Sequence, residues 1–138
     1  MSEVHRLGVE TKKQAITEQF VGRVLAHSVI DSDGAWPHRA VRSELERLRS
    51  EEVERGLQIE RRNMRGVYSK AMYEGGNQER EFASQYRGWA KIAVEWPRTH
   101  KLLLAIADDW DADATHEDVR AAQRKMRNHC VAVVMRDR

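Results

Sequence analysis

Apolar residues recur at helical spacing along most of this chain. The recurrence is densest on either side of the corner Trp96-Pro97-Arg98-Thr99. Phe82, Tyr86, Trp89, Ala90 and Ala93 precede the corner, and Leu102, Leu103, Ile106, Ala107, Trp110 and Ala114 follow it. Steps of three and four residues put an apolar stripe on one face of a helix. Pro97 has no amide hydrogen, and its fixed φ suits a first helical turn, so it starts the second helix of the pair. The spacing predicts two amphipathic helices packed antiparallel across this corner.

Weaker periodicity extends in both directions. Thr11 and Gln14 have capping-box spacing, and Ile16, Phe20, Val21, Val24 and Leu25 then predict a first helix. It ends near the turn signal Ser32-Asp33-Gly34. Pro37 opens a second helical stretch with a thinner stripe, Val41, Leu45, Leu48, Val53, Leu57 and Met64. That stretch is expected to run through Gly56 and break near Gly66, with Glu51 and Arg55 as a favourable four-apart ion pair. Gly75-Gly76 punctuates the chain, and Asn77 is the expected cap of the next helix. Thr115 and Asp118 repeat the capping-box spacing, so the last helix either restarts there or runs straight on. Its stripe is expected to continue through Ala114, Ala121 and Met126. Residues 1–10 carry no periodic signal and are expected to form a flexible arm ahead of a single helical domain over 11–138. The fold class expected is all-α, a compact bundle of four to five helices.

Composition narrows the class. The chain has 138 residues, 41% of them hydrophobic and 33% charged, which suits one core and excludes both disorder and a membrane-embedded protein. No run reaches the roughly 18 apolar residues of a membrane span. No charged-then-apolar start resembles a signal peptide, and a cytoplasmic location is expected. The single cysteine, Cys130, excludes an intramolecular disulfide framework. It opens the apolar run Cys130-Val131-Ala132-Val133-Val134-Met135 and is expected to be a buried, inert thiol. The run itself could dock on the core, pair as a short strand or meet another chain.

Net charge is only +2, from 24 Lys plus Arg against 22 Asp plus Glu, but it is unevenly spread. Six acids and no Lys or Arg lie between Asp108 and Asp118, whereas six bases and one acid lie between Val119 and Arg138. Acids near a helix start and bases near its end match the helix dipole. The one locally uncompensated basic patch is Arg61-Arg62-Asn63-Met64-Arg65, with Lys70 just beyond it and Tyr68 and Tyr73 beside it. Arg61, Arg62, Arg65 and Lys70 are therefore the candidate nucleic-acid contacts, since cations neutralise phosphate and aromatic rings stack on bases. Trp36 and Trp96 each precede a proline; with Tyr68 and Tyr73 they are the candidate partner contacts, because aromatic residues anchor interfaces. Trp89 and Trp110 lie on apolar stripes and are assigned to the core.

Catalytic and metal motifs are weak. Asp113-Ala114-Thr115-His116 has the carboxylate-x-x-His spacing of di-metal bundles, with Asp109 and Glu117 nearby, but no second copy accompanies it. The six histidines form no metal spacing, and no glycine-rich phosphate loop is present. No catalytic residue, metal or cofactor is nominated.

Four segments carry a resemblance. They are Arg61-Arg62-Asn63-Met64-Arg65-Gly66-Val67, Gly75-Gly76-Asn77-Gln78-Glu79-Arg80-Glu81, Tyr86-Arg87-Gly88-Trp89-Ala90 and Trp96-Pro97-Arg98-Thr99. Together they resemble small helical proteins of actinobacteria that have no assigned activity. The resemblance covers the middle and later half of the chain. It implies a bacterial, cytoplasmic protein and brings no cofactor or catalytic residue. The leading expectation is a non-catalytic helical interaction or regulatory protein acting through protein–protein contacts, with a protein partner or as a homo-oligomer. The alternatives are a DNA- or RNA-binding regulator using the Arg61–Lys70 patch, and a small helical-bundle enzyme or metal protein.

Overall fold

The computed structural model describes residues 3–136. Among them are five helices and no strand: α1 (Glu3–Leu25), α2 (Arg39–Leu48), α3 (Glu51–Asn63), α4 (Asn77–Ile92) and α5 (Pro97–Arg136). The all-α class and the helix count are as the periodicity predicts. The chain divides into two compact units: residues 1–66 with 88–103, and residues 67–87 with 104–138.

In the first unit α1 packs on α3 through glycine. A Cβ placed on Gly22 would lie 1.9 Å from the Val53 carbonyl oxygen, and one on Gly56 would lie 2.1 Å from that of Gln19. The two backbones are therefore in contact, and only glycine fits either position. This reverses the expected orientation of α1. Ile16, Phe20 and Val24 were expected to form its buried stripe, yet all three are exposed, while Gly22 and Ala26 are buried. Close backbone approach, not side-chain bulk, selects the buried face. α1 also begins at Glu3, ahead of the Thr11 capping box.

The second helical stretch is two helices, not one. Arg49 adopts a left-handed conformation (φ 46°) and ends α2. Ser50 then caps α3, its hydroxyl accepting the Val53 amide at 3.1 Å, and Glu51, Glu52 and Glu54 fill the first turn where the dipole favours acids. Arg55 consequently pairs with Glu52 at 3.2 Å rather than with Glu51. Pro37 stands ahead of α2, joined to Trp36 by a cis peptide, and His38 caps the helix by accepting the Ala40 amide. Leu45, Val53, Leu57, Trp89, Ala90, Ala93, Leu102 and Leu103 are buried in this unit.

In the second unit the α4 and α5 stripes meet. Ala83, Tyr86, Ile106, Ala107, Trp110 and Ala114 are buried, and the rings of Phe82 and Trp110 lie 4.8 Å apart at 35°. The turn before α4 abuts α5: a Cβ on Gly76 would lie 2.2 Å from the Ala114 carbonyl oxygen. α5 runs on through Thr115 without restarting, and the Thr115 hydroxyl bonds back to the Asp111 carbonyl at 3.2 Å. Its stripe does not stay covered. Ala114 is buried and Ala121 half-buried, but every residue from Ala122 to Arg136 is exposed, Met126 by 69%. The Val131–Met135 run is helical rather than a strand and does not dock, and Cys130 is exposed rather than buried.

Candidate functional site

Three places gather charge or chemistry. The first, in the first unit, centres on Arg42, whose side chain is wholly buried. Its spacing places it on the inner face of α2 with Leu45, and an unpaired guanidinium there would be costly. Instead, all three of its nitrogens donate hydrogen bonds. Nη1 and Nη2 hold the Asp33 carboxylate at 2.7 and 3.0 Å, Nε donates to the Pro37 carbonyl at 2.7 Å, and Nη2 donates to the Ala35 carbonyl at 2.9 Å. The Trp96 ring lies 4.9 Å from the guanidinium carbon. The Arg42 hydrogen bonds, the Ala35 amide and the nearby positive charge hold the Asp33 carboxyl well below the usual carboxylate range. Every one of these hydrogen bonds ties the 33–37 loop to α2, so this is a clamp, not an anion receptor.

Beside it, Trp36 is only 1% exposed and donates its Nε1 hydrogen to the Ser28 carbonyl at 2.9 Å. Its ring lies 5.9 Å from that of Trp89 and 4.2 Å from the Arg61 guanidinium carbon. The expectation of Trp36 as a partner contact is therefore corrected: an indole inserted between Trp89 and Arg61 belongs to the core. Trp96 is half-buried. Glu46 of α2 caps the start of α5, its Oε1 accepting the amides of Arg98 and Thr99 at 2.8 and 3.2 Å. The Arg98 guanidinium reaches Glu54 of α3 at 2.6 Å. The corner is thus pinned by two carboxylates, and neither is left for a substrate.

The second place, in the second unit, centres on Lys70. Its ammonium lies 2.7 Å from Glu79 and 2.7 Å from the Gly75 carbonyl, with Glu117 at 3.7 Å. Glu79 is 1% exposed and the Lys70 side chain 15%. Lys70 is therefore a structural counter-ion rather than a phosphate contact, which corrects its assignment to the basic patch. The remaining patch residues lie in the first unit. Arg61 is half-buried against Trp36 and donates to the Ala26 carbonyl at 3.4 Å, Arg62 is exposed and Arg65 half-buried. Tyr68 and Tyr73 are exposed in the second unit. The Tyr73 hydroxyl accepts a hydrogen bond from Asn128 of α5, and Tyr73 has φ 67°.

Asp118 was expected to partner Thr115. Instead it accepts the Gly76 amide at 2.8 Å and takes both Arg80 guanidinium nitrogens at 2.7 to 3.0 Å. Elsewhere in the acidic run Asp108, Asp111 and Glu117 also face cations. Arg87 bridges Asp108 and Asp111, and the Asp111 hydrogen bond raises its pKa further. His116 is exposed, and among the described residues no three His, Cys, Asp or Glu side chains converge as metal ligands would.

The third place is α5 beyond Asp118, which sequence reasoning placed partly in the core. A hollow of 390 Å³ opens there, lined by Ala122, Lys125, Met126 and His129. A second, of 240 Å³, lies between α5 and the 73–75 turn, against Tyr73, Gly75, Asp118 and Lys125. No helix among the described residues is long and apolar enough to cross a membrane. No known protein family, curated protein or solved structure matches the chain.

Two signals for these sites were present in the sequence. Glu79 lies on the α4 stripe, four residues before Ala83 and seven before Tyr86, and a charge in that phase implies a buried partner. Arg42 lies three residues before Leu45, again on the apolar face of its helix.

Proposed function

We infer that this chain is a non-catalytic helical interaction protein that acts through protein–protein contacts in a regulatory role. The observation that carries this reading is the bare end of α5, where Met126, Val131, Val133, Val134 and Met135 are exposed along one continuous helix. The apolar row Ile16, Phe20 and Val24 on α1 adds a second exposed surface. Apolar surface left in water on a regular element marks an association site. The charged groups that would serve a catalyst are instead engaged with one another, as at Arg42–Asp33 and Lys70–Glu79. A cytoplasmic setting suits a chain with one free cysteine.

Light scattering after size exclusion of protein purified from its native source, at low and high salt, tests the reading. A protein-only complex that survives salt is expected. A monomer under both conditions overturns it. Material absorbing at 260 nm that leaves at high salt would favour nucleic-acid binding, with Arg61, Arg62 and Arg65 as the contacts to examine first.

A further inference from the structure

The bare end of α5 has a recognisable surface. Val119, Ala122, Met126, Cys130 and Val133 are spaced three, four, four and three apart, so they share one helical face. The side of α5 next to this stripe turns to the second unit's own loop: Asn128 bonds to Tyr73, and Ala122 and Lys125 also line the hollow against the 73–75 turn. The apolar face is open: Val119, Met126 and Val133 are 50%, 69% and 43% exposed. The residues lining its hollow, Ala122, Lys125, Met126 and His129, stand at i, i+3, i+4 and i+7. Four residues in that diamond form the hole that receives a knob from a facing helix in coiled-coil packing.

Charge decides what faces it. Arg120 and Arg127 border one side of the stripe, and Lys125 and Arg136 border the other. Residues 119–136 contain no acid, and among the described residues Arg124, Lys125, Arg127 and Arg136 make no ion pair. Flanking positions choose the partner in helix pairs, and like charges across the seam repel. A second copy of this segment would set base against base in either orientation. The stripe also lacks the Trp, Phe and Leu that seat a helix in lipid, and no Phe, Tyr or Trp follows Trp110 to stack on bases.

We propose that residues 119–136 dock an amphipathic helix of a partner protein whose apolar seam is flanked by Glu or Asp. This names the surface for the interaction reading above and rests on it. Apolar knobs of the partner enter the Ala122–Met126–His129 hollow, where the flexible Met126 adapts to them. Its carboxylates meet Arg120, Lys125 and Arg127.

The test uses the full chain and two synthetic helices with Leu along the seam, one flanked by Glu and one by Lys. Fluorescence anisotropy is expected to show the Glu helix bound at least about tenfold more tightly than the Lys helix, with the gap narrowing as salt screens it. Reversing Arg120→Glu, Lys125→Glu and Arg127→Glu together should invert the preference, and Met126→Asp should abolish binding of both. Circular dichroism checks that each variant keeps its fold. Equal binding of the two helices, or none, overturns the proposal. So does tighter binding of duplex DNA or of phosphatidylglycerol vesicles, or a wild-type dimer that Met126→Asp dissociates. If a native complex survives Met126→Asp intact, the interaction reading stands and this surface is wrong.

Discussion

Two stretches of α5 within one unit, residues 104–118 and 119–136, have the same periodicity and opposite fates. The first carries Ile106, Ala107, Trp110 and Ala114 on its inner face, all buried, and acids on its outer face. The second carries Val119, Met126 and Val133 at equivalent spacing, all exposed, between rows of bases. Periodicity says which face of a helix is apolar. It does not say whether this chain supplies the cover. For the first stretch the cover is α4, through Phe82 against Trp110. Burial ends near Ala121; beyond it every described residue of α5 is exposed, although Asn128 still bonds to Tyr73.

The contrast is sharpest in truncation. Trp110→Ala should destabilise the fold by about 3–5 kcal/mol, because the buried indole leaves a cavity that its neighbours fill only partly. Urea denaturation followed by circular dichroism measures this. A loss under about 1 kcal/mol would place Trp110 in the class of surface sites and erase the difference between the two stretches. Lys70→Met should cost about 3 kcal/mol, since removing one partner of a buried pair strands the charge of Glu79. Combining it with Glu79→Gln should restore much of that loss, and a double-mutant cycle over the two sites tests the coupling. Additive losses would mean that Glu79 finds its compensation elsewhere.

Asp118 marks the boundary between covered and bare helix, and its removal tests what fixes that boundary. Asp118→Ala deletes the acceptor for the Gly76 amide and for Arg80, for an expected loss of about 1–2 kcal/mol, less than a core truncation because the carboxylate is half exposed. Hydrogen exchange should show the Gly76 amide losing protection while amides around Trp110 keep theirs. Equal loss at both would make the turn and the core one cooperative element.

Much of the fold was legible because helix-forming signals are local. The α4 and α5 stripes and the Pro97 start follow from residues within a turn or two of one another, and so does the break before Gly66. The Ser50 cap is equally local, but the apolar stripe carries across the α2–α3 break and hides it. What could not be read was long-range. Gly22 and Gly56 look like helix weaknesses until the two backbones are seen in contact. Lys70 looks like part of a basic patch because Glu79, nine residues on, neutralises it only in three dimensions. Glu46 caps a helix that begins some fifty residues later. Trp36 precedes a proline just as Trp96 does, yet only Trp36 is fully buried, and nothing within a turn of either residue distinguishes them.

The smallest predicted effect is the most informative about the bare stretch. Met126→Ala with Val133→Ala should change stability by no more than about 0.5 kcal/mol, because neither side chain leaves a cavity when shortened. Alanine also has the higher helix propensity, which offsets the slight packing of these two side chains against their own helix. The same truncation should weaken binding of the Glu-flanked helix, since both residues lie on the seam it would cover. Stability unchanged with binding reduced separates a surface kept for a partner from apolar residues that merely face water. A stability loss like that of Trp110→Ala would instead mean that α5 finds cover along its whole length, and the two stretches would no longer differ.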